Sequence, residues 1–177
     1  MEGKTAHIPS GCVHTGFMKT MKRCSMQWVK YFLLCGITGW CLEILFTSME
    51  SLMHQDWRLV GKTSLLMFPI YGLGVFLGPI CRGIDRWLDE GFWDKGRISQ
   101  RELALRHGMI DMVLIFTAEY LFGLLLGKMG ICPWDYRGMP TNIHGLIRLD
   151  FAPLWFLTGL ILEKVTENQQ KNEPLVL

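Results

Sequence analysis

The sequence predicts an all-α membrane protein with four transmembrane helices, arranged as two tandem, parallel two-helix repeats. Half of the 177 residues are apolar, and 19% are charged. The charges are concentrated in short segments, and the apolar runs between them approach the length needed to cross a membrane. The string Glu43-Ile-Leu-Phe46 recurs in a later run as Glu119-Tyr-Leu-Phe122, which indicates a duplicated unit.

Four spans are expected, at about 29–48, 64–81, 109–127 and 149–165. At a rise of about 1.5 Å per residue each covers roughly 25 to 30 Å, close to the thickness of the hydrocarbon core. Together they form one membrane domain at 28–165. A flexible basic cytoplasmic arm at 1–27 precedes this domain, and a cytoplasmic tail at 166–177 follows it.

The second span is the least regular. It contains Pro69, Gly72, Gly74, Gly78 and Pro79. Proline lacks an amide N–H and removes a hydrogen bond from a helix interior. We therefore expect a helix kinked or broken near Pro69-Gly72, with a short re-entrant segment as the alternative. In the fourth span Pro153 falls in the first turn, where proline is tolerated.

The loop at 81–107 has two interpretations. Its charges alternate in sign, and Ile84, Leu88 and Phe92 recur at four-residue steps. This pattern is typical of a short amphipathic helix lying on the inner membrane surface. A solvated helix that continues the second span fits it equally well.

Lysine and arginine residues are divided unevenly between the two sides of this topology. The N-terminal segment, the loop at 81–107 and the C-terminal segment hold thirteen, against five in the two loops on the other side. Cytoplasmic segments carry the excess of these residues in membrane proteins. Both termini are therefore expected in the cytoplasm.

Further matched positions support the duplication. Trp57 lies fourteen residues after Glu43, and Trp134 lies fifteen residues after Glu119. Each unit crosses the membrane twice, so both copies would share one orientation and be related by an axis along the membrane normal. Glu43 and Glu119 would then face each other at the same depth, near that axis.

A carboxyl group inside a membrane span costs about 2.5 to 3.5 kcal/mol on insertion scales, so its presence calls for a reason. Glu43, Glu119 and Tyr71 form the predicted intramembrane polar site. Either the two carboxyl groups bind a proton or cation in a permeation path, or they tie the helices together through Tyr71, Tyr120, Thr38 or Thr117. Asp111 is expected to be hydrated near the inner surface, and Glu163 to mark the cytoplasmic exit of the fourth helix.

A second candidate site lies just outside the third span. The residues predicted to form an extracytoplasmic cap over the bundle are Trp134, Asp135, Tyr136 and Asn142. The aromatic rings suit the headgroup layer. Asp135 is expected to accept a hydrogen bond from Asn142, from His144 or from an amide of the same loop. The alternative is an anion-binding rim of Asn142, His144 and Arg148 at the start of the fourth helix.

Several classes of ligand are not expected. The net charge of +2 is too small to indicate a nucleic-acid partner. The six cysteines show no CxxC spacing, and no two of the five histidines stand at helical spacing near acidic or sulfur ligands. No disulfide framework, metal site or cofactor is predicted.

Motifs between residues 28 and 165 resemble the transmembrane protein 229 family, and most of all its B-type member. The strings that carry the resemblance are Gly39-Trp-Cys-Leu-Glu43, Ile70-Tyr-Gly72 and Cys132-Pro-Trp-Asp-Tyr136. More distantly, Pro69-Ile-Tyr-Gly72 and Trp134-Asp-Tyr136 are similar to strings in the bacterial family labelled putative ABC-transporter type IV. The resemblance implies a small multi-pass membrane protein and names no reaction.

These observations predict a small carrier or channel-like module built around Glu43 and Glu119. It is expected to work as an oligomer, because four helices barely enclose a path. The alternative is an accessory or scaffold protein without transport or catalytic activity. An enzyme is not expected, since no nucleophile–base pair or metal triad accompanies the carboxyl groups. The expected partners are the lipid bilayer and either a second copy of the chain or an unidentified membrane protein.

Overall fold

A computed structural model describes residues 11–53, 55–91 and 99–172, and within these ranges the chain is mainly helical. Its helices are α1 (Gly11–Met53), α2 (Met67–Gly72), α3 (Leu77–Gly91), α4 (Gln100–Lys128) and α5 (Ala152–Asn172). Two 3-10 segments, Leu73–Phe76 and Leu149–Phe151, precede α3 and α5. Two short antiparallel strands, β1 (Asn142–Ile143) and β2 (Ile147–Arg148), form a hairpin between α4 and α5.

Among the described residues, three segments are long and apolar enough to cross a membrane. They are Ser25–Met53 in α1, Met67–Leu88 across α2 and α3, and Gln100–Lys128 in α4. Only 17% of the most apolar stretch of α1 or α4 is buried inside the protein, against 44% in the second segment. The apolar side chains of α1 and α4 therefore face outward, where lipid would solvate them. The chain is a helical membrane protein.

The fourth predicted span falls in α5, which is not among these three segments, because Glu163, Lys164 and Glu167 interrupt its apolar run. Even so, α5 packs against α1, α3 and α4. Its side chains at 155, 158, 162 and 166 are buried and lie on one face. Three candidate spans are therefore identified in the structure, and a fourth span in α5 remains a prediction.

The first helix is longer than expected. Residues 11–27, predicted as a flexible arm, are helical and continuous with the first span, while residues 1–10 lie outside the described residues. No proline occurs between Gly11 and Met53 to end the helix. Helix α5 likewise continues through Asn172, into the segment predicted as a tail.

The second span is interrupted after Gly72, by the 3-10 segment Leu73–Phe76. Pro69 is only the third residue of α2, so its missing N–H falls in the first turn, where no helical acceptor exists. The expected loss of a helical hydrogen bond at Pro69 was therefore wrong. The predicted bend of the helix axis stays a prediction.

Helix α3 continues the second span to Gly91, which agrees with the second interpretation of the inner loop. Phe92 and the residues up to 98 lie outside the described residues. Helix α4 then begins at Gln100, nine residues before the predicted third span. A capping box explains this start: Glu102 N donates to Ser99 Oγ at 3.3 Å, and Ser99 N donates to Glu102 Oε2 at 2.9 Å.

Candidate functional site

Glu43 and Glu119 line one cavity of about 230 Å³, near the C-terminal ends of α1 and α4. Its polar lining residues are Glu43, Thr47, Glu50, Lys62, Thr63, Ser64, Tyr71, Glu119 and Tyr136. We call it the polar cavity. All three residues of the predicted intramembrane site therefore reach the same space, although they come from α1, α2 and α4.

Glu43 is held at the α1–α2 side of the polar cavity and is half-buried. Thr63 Oγ1, in the loop before α2, donates to Glu43 Oε2 at 2.6 Å. The Tyr71 hydroxyl lies close enough to interact electrostatically with this carboxyl group. Gly39 allows the Tyr71 side chain to approach α1 and reach Glu43. A Cβ atom at Gly39 would lie 2.2 Å from Tyr71 Cγ, so only glycine lets the tyrosine ring pack this close to α1.

Glu119 lies deeper, with 6% of its surface exposed. The Tyr136 hydroxyl donates to Glu119 Oε1 at 3.2 Å, and Trp155 Nε1 donates to Glu119 Oε2 at 3.2 Å. The carboxyl groups of Glu119 and Glu43 are close enough to interact electrostatically. Each oxygen of the buried carboxyl group thus has a donor, as a polar group in an apolar interior requires.

Two other hydroxyl groups considered as partners of the carboxyl groups, those of Thr117 and Tyr120, bond elsewhere. Thr117 Oγ1 donates to Val113 O at 2.7 Å, within its own helix. The Tyr120 hydroxyl lies 2.9 Å from His144 Nδ1 in the hairpin. Tyr136, expected only as part of the outer cap, instead reaches the intramembrane carboxyl group. The structure therefore joins the two predicted sites through one tyrosine.

The loop between α4 and α5 folds back over the bundle. Trp134 Nε1 donates to Leu146 O at 2.9 Å, and Gly145 N donates to Asn142 Oδ1 at 2.8 Å. Gly145 has φ +70°, and a Cβ atom there would lie 2.4 Å from Arg137 Cγ. These contacts give the loop the compact form expected of a cap.

Among the described residues, neither Asn142 nor His144 donates the expected hydrogen bond to Asp135. Asp135 accepts from its neighbour Arg137: Nε lies 2.9 Å from Oδ1, and the backbone N lies 3.0 Å from the same oxygen. Of the three expected donors, only the loop amide is present. The hydrogen bonds from Arg137 hold the pKa of Asp135 at about 2, so this carboxyl group is ionised at neutral pH.

Arg148 forms ion pairs with two carboxylates. Its NH1 lies 2.9 Å from Glu50 Oε1 on α1, and its NH2 lies 2.8 Å from Asp150 Oδ2. The guanidinium carbon also lies 4.1 Å from the centre of the Phe151 ring. These contacts tie the start of α5 to the end of α1. They argue against the anion-binding rim, because the positive charge is already neutralised.

A second cavity of about 230 Å³ adjoins the first, between the second span, α4 and α5. We call it the apolar cavity. Its lining is mainly aliphatic and includes Leu73, Ile80, Leu114 and Leu162. The residues that line both cavities are Met67, Tyr71, Glu119, Trp134 and Trp155. The Glu119 carboxyl group therefore lies at the boundary between a polar and an apolar space.

A second group of polar side chains lies toward the other end of the bundle. We call it the inner cluster, and it comprises Cys81, Asp85, His107, Asp111 and Glu163. Asp111 is fully buried, which corrects the expectation that it would be hydrated. Cys81 Sγ donates to Asp111 Oδ1 at 3.3 Å. Sequence reasoning missed this cluster because three helices supply it and no local spacing joins its members.

Comparison with known proteins places these sites in a family. No solved structure matches the chain. The family model described as Putative ABC-transporter type IV matches residues 30–174. The matched region contains both cavities and the inner cluster. The chain therefore belongs to the putative ABC-transporter type IV family.

Proposed function

We propose that the polar cavity is the proton- or cation-binding site of a small carrier or channel-like module. The observation that carries this proposal is the meeting of two acidic side chains, Glu43 and Glu119, in one cavity between apolar helices. Ionisable groups at such positions are costly, and they commonly mark ion pathways and proton relays. The family description also contains the word transporter.

The hydrogen bonds at the polar cavity leave room for a ligand. Two carboxyl groups offer about eight lone-pair positions. Among the described residues, three side chains donate to them: Thr63, Tyr136 and Trp155. The remaining positions can accept a proton or coordinate a cation. A purely structural pair would need only its existing donors.

The partners of the two carboxyl groups support the proposed duplication. In the first half Glu43 accepts a hydrogen bond from a loop residue, Thr63, and Tyr71 of the following helix lies close enough to interact with it electrostatically. In the second half Glu119 is bonded by a loop residue, Tyr136, and by Trp155 of the following helix. Two such hairpins, related by an axis along the membrane normal, would bring their carboxyl groups together. On its motifs we also assign the chain to the transmembrane protein 229 group, B-type.

Flux through proteoliposomes tests the proposal. Purified protein is reconstituted with an entrapped pH-sensitive dye, and a potassium diffusion potential drives proton entry; a parallel assay follows rubidium uptake. We expect wild-type protein to pass one of these two ions. Glu119→Gln and Glu43→Gln should lower that flux to the level of empty liposomes, since each removes an ionisable group from the cavity. Asp56→Asn, which changes a carboxylate outside the cavity that is paired with Arg58, should leave it unchanged.

The same variants distinguish the alternative, an accessory or scaffold protein. If the carboxyl groups only hold the bundle together, wild-type protein passes neither ion, and the glutamine variants lose their compact elution profile in detergent. Wild-type flux that survives in both glutamine variants would also contradict a role for this cavity. Crosslinking in the same liposomes reports whether the transporting form is a homo-oligomer.

A further inference from the structure

The inner cluster contains the ligand atoms of a metal site. The Cys81 sulfur, a ring nitrogen of His107 and a carboxylate oxygen of Glu163 all lie within 4.8 Å of one another. They come from α3, α4 and α5, three helices that meet at this end of the bundle. One sulfur, one imidazole and one carboxylate form a mixed ligand set that suits zinc.

The separations fit a zinc ion with little movement. Zinc binds sulfur at about 2.3 Å and nitrogen or oxygen at about 2.0 to 2.2 Å, so tetrahedral ligands lie roughly 3.5 Å apart. No two of the three atoms need to approach each other by more than about 1.3 Å to reach that spacing, and His107 Nδ1 and Glu163 Oε2, now 2.9 Å apart, would separate by roughly half an ångström. The side chains of His107 and Glu163 are 14% and 12% exposed, so the site is mostly buried but still accessible to an ion from solvent.

His107 already has the environment of a metal ligand. Its Nε2 lies 2.7 Å from Asp85 Oδ2, and Asp85 is held in turn by Arg106 NH2 at 2.7 Å. Its Nδ1 faces Glu163 Oε2 at 2.9 Å. Histidine ligands usually donate their second ring N–H to a carboxylate, which fixes the ring and leaves the other nitrogen for the metal.

Asp111, next to Cys81, is a buried carboxyl group with one oxygen unpaired in the part of the chain that the structure describes. Its side chain has no exposed surface, and within the described residues its Oδ2 atom has no hydrogen-bond partner. An unpaired buried carboxyl oxygen is costly. Its other oxygen accepts from the Cys81 thiol at 3.3 Å. Asp111 therefore lies directly beside the Cys81 ligand, although its own oxygens are not among the three atoms that lie within 4.8 Å of one another.

We propose that Cys81, His107 and Glu163 bind one Zn²⁺ ion, which links α3, α4 and α5. Binding needs the thiolate form of Cys81, so the thiol proton is released when the metal binds. The ion would replace the contact between His107 Nδ1 and Glu163 with two metal bonds. The site is separate from the polar cavity, and the proposal does not depend on ion transport there.

Cobalt substitution tests the site in the full-length protein in detergent. The protein is stripped with a chelator, dialysed and loaded with Co²⁺, whose bond to a thiolate gives a charge-transfer absorption in the near ultraviolet. We expect this absorption in wild-type protein, its loss when Zn²⁺ is added, and one zinc per chain by elemental analysis. Its absence from wild-type protein would overturn the proposal and favour a charged His107 bridging two carboxylates without metal.

Variants identify the ligands. Cys81→Ser should abolish the thiolate absorption, while Cys35→Ser, which changes an equally buried cysteine packed among Tyr31, Val75 and Leu162, should retain it. Asp85→Asn should keep the absorption but weaken zinc affinity about 10- to 100-fold, because it disturbs only the carboxylate behind His107. Absorption that persists in Cys81→Ser, or disappears in Cys35→Ser, would contradict the assignment.

Discussion

Tyr136 stands in the loop after α4, yet its hydroxyl reaches the buried carboxyl group of Glu119. Burial raises the pKa of Tyr136 above its ordinary range, so the side chain remains a neutral donor at physiological pH. Its ring packs at 6.0 Å, edge to face, against Phe151. One residue of the cap therefore controls the hydrogen bonding of the intramembrane site.

Tyr136→Phe should destabilise the protein by about 1 to 3 kcal/mol, because it leaves one oxygen of a buried carboxyl group without its donor. The measurement is thermal unfolding in detergent. Tyr120→Phe is the matched control, since it removes a hydroxyl whose bond to His144 is exposed, and it should change stability by less than about 0.5 kcal/mol.

A double-mutant cycle sharpens this comparison. Combining Tyr136→Phe with Glu119→Gln should cost less than the sum of the single changes, because both remove the same contact. If the losses of stability were additive, or if the Tyr120→Phe control lost as much stability as Tyr136→Phe, the hydrogen bond to Glu119 would not stabilise the protein as predicted.

The sequence identifies the carboxyl groups but not their partners. Glu43 and Glu119 stand out because a charge within an apolar run is costly wherever the run inserts. Tyr136 and Trp155 do not stand out, because aromatic residues at helix ends also serve as interfacial anchors. Only the folded path of the loop brings the tyrosine to Glu119.

Close contact between α1 and α2 positions the first half of the polar cavity. A Cβ atom at Gly36 would lie 2.8 Å from the Phe68 ring, and one at Gly39 would lie 2.2 Å from Tyr71. Trp40 packs on Phe68 with ring centres 4.9 Å apart. Small residues at helix contacts allow this approach in membrane proteins.

Gly39→Ala should separate α1 from α2 and cost about 1 to 3 kcal/mol, as overpacking usually does. Because Tyr71 must move, the contact with Glu43 should weaken as well. Gly127→Ala, on α4, has no atom within 4 Å of the added Cβ and should leave the melting temperature unchanged or slightly higher. Equal melting temperatures for the two variants would mean that the helices do not pack as described.

Helix boundaries were the least predictable feature of the elements. The spans were located by hydropathy, which ends where charges begin, whereas the helices α1, α3 and α4 continue into charged segments. Ser99 and Glu102 form a capping box whose Ser-x-x-Glu spacing is visible in the sequence and marks the start of α4. The 3-10 segment begins directly after the Pro69-Gly72 stretch, where the proline and glycine residues predicted a kink or break.

At the scale of the whole molecule, α5 holds the bundle together. It contributes Trp155 to the polar cavity, Leu162 to the apolar cavity and Glu163 to the inner cluster. Hydropathy alone ranks it lowest because it carries polar and charged groups. Of these, Thr158, Glu163 and Thr166 face the other helices, whereas Lys164 and Glu167 are exposed. The inner cluster could not be predicted, since Cys81, His107 and Glu163 are far apart in sequence.

Whether α5 crosses the membrane determines on which side the C-terminus lies. Four spans would put both termini on one side, and the excess of lysine and arginine predicts that this side is the cytoplasm. Three spans would put the termini on opposite sides. The chain contains no Asn-x-Ser/Thr acceptor. Any glycosylation that is observed must therefore be at the inserted acceptor. In microsomes, a flexible insert with an acceptor after Gly138, in the loop between α4 and α5, should be glycosylated. The same insert before Met1 or after Leu177 should not be, and modification after Leu177 would show that α5 does not span.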